Sequence, residues 1–207
     1  MKKDLAEIIC VVDRSGSMES IRDDAIGSFN TFLDEQQKLP GECLFTYVHF
    51  DHEYELVFGG RKIKDVAKLT RDTFQPRGST ALLDAIGRTI VEVGSRFAAM
   101  PEAERPERVL MVIVTDGGEN SSRTFTREAI NEKIKHQGEV YKWNFIFLAA
   151  GPDAFAEANA IGIAPSNIAS YTAGDSTAHH YNLHRSSVAA KNYRAGGQSI
   201  LPAEGQE

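Results

Sequence analysis

Asp13-Arg14-Ser15-Gly16-Ser17 follows directly on the apolar run Ile8-Ile9-Cys10-Val11-Val12. One carboxylate and two hydroxyls thus stand where a buried strand meets solvent, a placement that apolar packing does not require. Hard oxygen donors suit a small divalent cation such as Mg²⁺, which takes oxygen ligands in octahedral array and usually keeps some of its waters. A second apolar run, Val109 to Val114, ends in a similar way, in Thr115-Asp116-Gly117-Gly118. Between the two, Thr80 follows Arg77-Gly78-Ser79 at the opening of a helical pattern. Three separate segments thus offer oxygen ligands, two carboxylates and three hydroxyls in all.

The elements that must position these residues alternate along the chain. Strands are expected at 7–12, 44–50, 54–58, 109–114, 143–149 and 167–170, the second and third forming an antiparallel hairpin turned at Asp51-His52. Helices are expected from Ser20 to Pro40-Gly41, from Thr80 onward, and near 126–137, 153–160 and 176–193, with a short polar helix over 65–73. This order predicts a doubly wound α/β fold, with a mostly parallel sheet of about six strands, one short antiparallel edge strand and helices on both faces. In such sheets ligands bind beyond the carboxyl ends of the strands, where strand order reverses. The first strand delivers Asp13, Ser15 and Ser17 to that rim, the excursion after the hairpin returns Thr80, and the 109–114 strand brings Asp116. The 207 residues read as a single domain over 1–202 with a flexible tail at 203–207.

These motifs resemble the metal-ion-dependent adhesion site of the von Willebrand factor type A (vWA) domain: Asp13-x-Ser15-x-Ser17, then Thr80 in Gly-Ser-Thr, then Thr115-Asp116-Gly117. The resemblance covers roughly residues 6–193. It implies a Mg²⁺ or Mn²⁺ (Ca²⁺ is compatible) held by Ser15, Ser17 and Thr80, with Asp13 and Asp116 binding directly or through water. It further implies a last coordination position left open for a carboxylate of a partner protein. The expected function is a metal-dependent protein-binding module, the alternative a Mg²⁺-dependent phosphoester hydrolase on the same scaffold. Arg14, Met18, Glu19, Asp51, Arg77, Glu119, Asn120 and Ser121 are expected at the rim. There Arg14 and Arg77 would steer a carboxylate, and Glu119 would approach the metal or repel an acidic ligand.

Other readings have less support in the residues. The chain has no phosphate-cradling glycine loop and no Gly-x-Ser-x-Gly elbow, and no dedicated general base stands near Ser15 and Ser17 in sequence. An enzyme is therefore not expected. His180 and His184 share a helical face at a spacing that can bind Zn²⁺, but without a third ligand they read as a solvated face. Asp84, one turn into its helix, suits the helix dipole or contacts the metal loop. The net charge of −6, without blocks of Lys or Arg, argues against nucleic acid and anionic membranes. Cys10 and Cys43 read as small buried hydrophobes, and with no secretory signal the expected location is cytoplasmic.

Overall fold

The computed structural model describes residues 1–172, 175–198 and 200–203, so most of the expected tail lies outside the described residues. The strands are β1 (Lys2–Asp13), β2 (Glu42–Phe50), β3 (Tyr54–Lys62), β4 (Pro106–Thr115), β5 (Asn144–Ala150) and β6 (Ile168–Tyr171). The helices are α1 (Arg22–Lys38), α2 (Leu82–Ala99), α3 (Arg127–Tyr141), α4 (Gly151–Ala160) and α5 (Ser176–Arg194). The sheet runs β3-β2-β1-β4-β5-β6. Every neighbouring pair is parallel except β2 with β3. The expected doubly wound architecture with an antiparallel edge is present.

Alternation along β1 explains why the run is apolar throughout. Ile8, Cys10 and Val12 pack with Phe29, Phe32 and Leu33 of α1 and with Leu183 and Ala189 of α5. Ile9 and Val11 pack on the other face with Leu82, Ile86 and Ile90 of α2 and with Ile130 of α3. With both faces covered, the polar side chains of β1 and β4 stand at the strand ends, apart from the buried Glu7 of β1, which is paired with Arg96. β1 lies between β2 and β4, so the strand order departs in opposite directions from the β1–β4 pair. Asp13 ends β1 and Asp116 follows β4 directly, at this switch point.

Two expectations are corrected. β1 begins at Lys2 rather than residue 7: its polar start continues past an irregularity between Lys2 and Ala6, with Lys2 opposite Pro106. The helix expected over 65–73 does not form; a 3-10 turn at Ile63–Asp65 gives way to extended chain and a turn at 71–73. Thr73 Oγ1 accepts from Thr70 N at 2.9 Å, and Asn30 brackets Leu69, accepting from its N at 2.8 Å and donating to its O at 3.0 Å. These side-chain bonds take backbone groups that a helix would need. Cys10 and Cys43 are buried and unpaired, and burial pushes the Cys43 thiol up to about 11. Among the described residues no helix is long and apolar enough to cross a membrane.

Candidate metal centre

At the end of β1 the chain turns sharply because Asp13 caps its own turn: Oδ1 accepts from Ser15 N at 2.6 Å. Its Oδ2 accepts from Thr115 Oγ1, at the end of β4, at 2.6 Å. A 3-10 turn, Gly16–Ile21, follows, and the Ser15 side chain makes no capping bond to it. Instead Ser15 Oγ lies 3.0 Å from Ser17 Oγ, which donates to Asp116 Oδ1 at 2.7 Å. Met18 and Ile21 point the other way and are buried. Thr80 enters from the loop before α2. Its N donates to Asn120 Oδ1 at 2.9 Å and its O accepts from Asn120 N at 3.1 Å. A Cβ added at Gly117 would lie 3.8 Å from Thr80 Oγ1. The structure thus gathers the five candidate ligands at the ends of β1 and β4.

The loop after Asp116 is held by two acids, Glu119 and Asp84. Glu119 Oε1 accepts from Ser121 N and Ser122 N at 2.8 and 2.6 Å, while Oε2 accepts from Leu83 N and Ser122 Oγ at 2.9 and 2.7 Å. Four donors occupy this carboxylate at the start of α2, where it caps the turn 119–122. Asp84 accepts from Arg123 N, Thr124 N and Phe125 N at 2.8–2.9 Å. It thus contacts the loop that follows Asp116 while standing in the first turn of α2, compatible with both of its expected roles.

On the other side three of the eight expected rim residues are interior. Arg14, Met18 and Asp51 are buried. Asp51 Oδ2 accepts from Arg14 Nε and Arg77 Nε, each at 2.9 Å. Arg14 Nη1 also donates to Glu55 Oε2 at 2.7 Å, and Arg77 Nη2 pairs with Glu53. Both arginines thus pair with acids of the β2–β3 hairpin, the geometry in which the structure places the two residues expected to steer a carboxylate. Glu19, Arg77 and Asn120 are exposed, and Glu119 and Ser121 half-buried. Asp51, His52 and Glu53 offer ligand atoms within 4.8 Å of one another, but the two guanidinium groups already occupy Asp51 and Glu53. The helix-face histidines bond α1: His180 Nδ1 lies 3.2 Å from Ser28 Oγ, and His184 Nδ1 3.2 Å from Glu35 Oε1.

Charge decides what the centre can hold. Asp13 is fully buried and Asp116 nearly so. Burial raises both carboxyls: Asp13 is pushed up to about 6 despite the Thr115 and Ser15 bonds, and Asp116 is raised despite the Ser17 bond. Among the described residues neither pairs with a Lys, Arg or His. Two buried carboxylates beside three hydroxyls, with no compensating cation, are costly as they stand. That donor set fits a hard divalent ion.

No protein-family model and no curated protein matches the sequence. Solved structures do. Proximal thread matrix protein 1 from the mussel byssus superposes with a TM-score of 0.60 at 15% identity, over 90% of this chain and 46% of its own. A von Willebrand factor type A protein from Catenulispora acidiphila gives 0.57 at 16% identity, over 90% and 42%. The fold is that of a vWA domain. Proximal thread matrix protein 1 with a zinc-occupied MIDAS motif gives 0.54 at 16% identity, over 82% and 42%. The chain therefore spans less than half the length of each of these proteins. Not foreseen from the sequence of this vWA domain were the Thr115 bond that holds Asp13 and the bracing roles of Asp51, Glu119 and Asn120. The one local signal was Glu119 three residues before Ser122, a spacing at which a carboxylate can close its own turn.

Proposed function

We propose that this vWA domain is a divalent-cation-dependent binding module. In this reading Asp13, Ser15, Ser17, Thr80 and Asp116 hold Mg²⁺, Mn²⁺ or Ca²⁺, and a partner protein supplies a carboxylate to the remaining position. The observation that carries it is the buried Asp13–Asp116 pair, set among hydroxyls and, among the described residues, lacking a counter-charge. The zinc-occupied MIDAS of proximal thread matrix protein 1 supports the same reading. When bound, the cation supplies a Lewis-acidic position that attracts an anion, because hydroxyl ligands are neutral and two carboxylates leave it incompletely compensated.

The residues favour binding over catalysis. His49 is buried, with its ring against Tyr47 and Phe74, and His52 Nδ1 faces Asp51 at 3.1 Å, so neither is placed as a base for Ser15. The net charge of −6 supports a protein partner over nucleic acid or an anionic membrane. Two buried, unpaired thiols suit a reducing, cytoplasmic location. The test is a pull-down from lysate in Mg²⁺ and in EDTA, with wild type and Asp13→Ala. Partners should be captured in Mg²⁺, released by EDTA and absent with the variant. Phosphoester turnover that vanishes in Asp13→Ala would replace this reading with a hydrolase.

A further inference from the structure

We propose that Asp51 is the positioning residue of the metal site: it touches none of the five candidate ligands, yet it fixes both loops that carry their hydroxyls. The inference rests on the metal-binding reading above. Asp13 pairs with Phe50 in the β1–β2 register, so Asp51 stands one residue beyond the sheet, level with Arg14. Its side chain is fully buried. Oδ1 accepts from Glu53 N at 2.7 Å, closing the hairpin turn on itself. Oδ2 is then left to bind Arg14 Nε and Arg77 Nε together.

Those two arginines are the handles of the two loops. Arg14 lies between Asp13 and Ser15, and Arg77 lies three residues before Thr80. Main-chain bonds make the coupling stiff: Arg77 N donates to Arg14 O at 2.8 Å, Gly16 N to Gly78 O at 3.1 Å, and Ala81 N to Asp51 O at 2.8 Å. The Thr80 segment is thus gripped on both sides, at Arg77 by the Asp51 carboxylate and at Ala81 by the Asp51 carbonyl. Gly78 is needed for the close passage: its φ is +68°, and a Cβ there would lie 2.1 Å from His52 Nδ1. Removing the carboxylate leaves the Arg14 guanidinium, whose side chain is 9% exposed, without its inner partner. The serine loop and the threonine loop then lose their common anchor, and small displacements of ligands weaken a metal site that demands near-ideal geometry.

A second buried carboxylate supplies the control. Glu7 is also fully buried, pairs with Arg96 and accepts from Thr46 Oγ1 at 2.6 Å. It sits six residues before Asp13 on β1, about 20 Å along a strand. Free Mn²⁺ followed by electron paramagnetic resonance gives the affinity of folded wild type, Asp51→Ala, Asp51→Asn and Glu7→Gln. Asp51→Ala should bind Mn²⁺ about 10- to 100-fold more weakly than wild type, with Asp51→Asn between them. The loss should persist from about 0.05 M to about 0.5 M NaCl, because displaced ligands are not restored by screening whereas a through-space charge effect is. Glu7→Gln should lose stability and keep its Mn²⁺ affinity within about twofold, the span expected when no ligand-bracing contact changes. Should Asp51→Ala fail to fold, Arg77→Met cuts the same tie from its exposed end and should weaken Mn²⁺ in the same direction. Unchanged affinity in these variants, or a loss that disappears at high salt, overturns the inference while leaving the metal reading intact. A wild type that does not bind Mn²⁺ overturns both.

Discussion

Asp13 has two jobs that pull against each other. Its carboxylate closes the turn through Ser15 N and ties β4 through Thr115 Oγ1, both of which favour the charged form. Burial disfavours that form more strongly and pushes the group up to about 6 from an ordinary 3.8. The sign follows directly. A raised carboxyl contributes stability that is fully present below about pH 3.8 and is lost as pH rises through about 6. Without metal, the neutral-pH protein therefore carries an unfavourable buried charge, and a cation removes that cost. We predict that Mg²⁺ raises the melting temperature more at pH 7.5 than at pH 5, read by thermal melts in Mg²⁺ and in EDTA. Mn²⁺ affinity should be flat above roughly pH 7 and fall about tenfold per unit below about pH 6, as one proton competes for the site. An affinity independent of pH across that window would remove Asp13 from the ligand set.

At the scale of elements, the 3-10 turn Gly16–Ile21 transmits core packing to the site. Ser17 faces Asp116 while the next residue, Met18, is fully buried with Phe29, Phe74 and Val114. Met18→Ala should cost about 2–5 kcal/mol in urea unfolding. It should also weaken Mn²⁺ binding, because the turn that places Ser17 loses its anchor. Had Met18 been on the rim, the change would spare stability and alter only partner affinity. Asp84→Ala should cost about 1–3 kcal/mol by orphaning three loop amides, with faster amide exchange at residues 123–125. β4 and the core of β1 were legible in the sequence because each is an apolar run with a polar end, Asp13-x-Ser15-x-Ser17 and Thr115-Asp116. The bracing was not legible there. Asp51 meets Arg14 and Arg77 across 37 and 26 positions, and no periodicity links residues so far apart. Rim exposure was misread for the same reason: Arg14 and Met18 look like solvent-facing loop residues until the hairpin and α5 close over them. The missing helix at 65–73 failed in the opposite direction, since Thr70, Thr73 and Asn30 offered its backbone a local alternative.

For the molecule as a whole, the sheet separates two apolar cores, and the one beneath α1 and α5 contains two histidines kept neutral by their surroundings. His49 is pushed down to about 3, first by burial and then by the Arg14 charge, with Asp51 opposing. His179 on α5 is pushed down to about 4 by burial, with Asp24 opposing and His180 adding to the shift. Both titrate near 6.5 in the unfolded chain. Groups depressed in this way contribute stability that is fully present above about pH 6.5 and is lost as pH falls toward about 4 and about 3. The slope is at most about 1.4 kcal/mol per pH unit for each, so the two together remove a few kcal/mol by pH 5. Asp13 runs the other way in metal-free protein, gaining stability below about pH 6, and offsets part of the loss. The offset is common to wild type and to His179→Gln, so it cancels in their difference. Urea unfolding in EDTA at pH 8, 7, 6 and 5 should therefore show wild type losing stability below about pH 6.5 and His179→Gln losing less. Parallel curves for the two proteins would mean that His179 is not held neutral between α5 and the sheet.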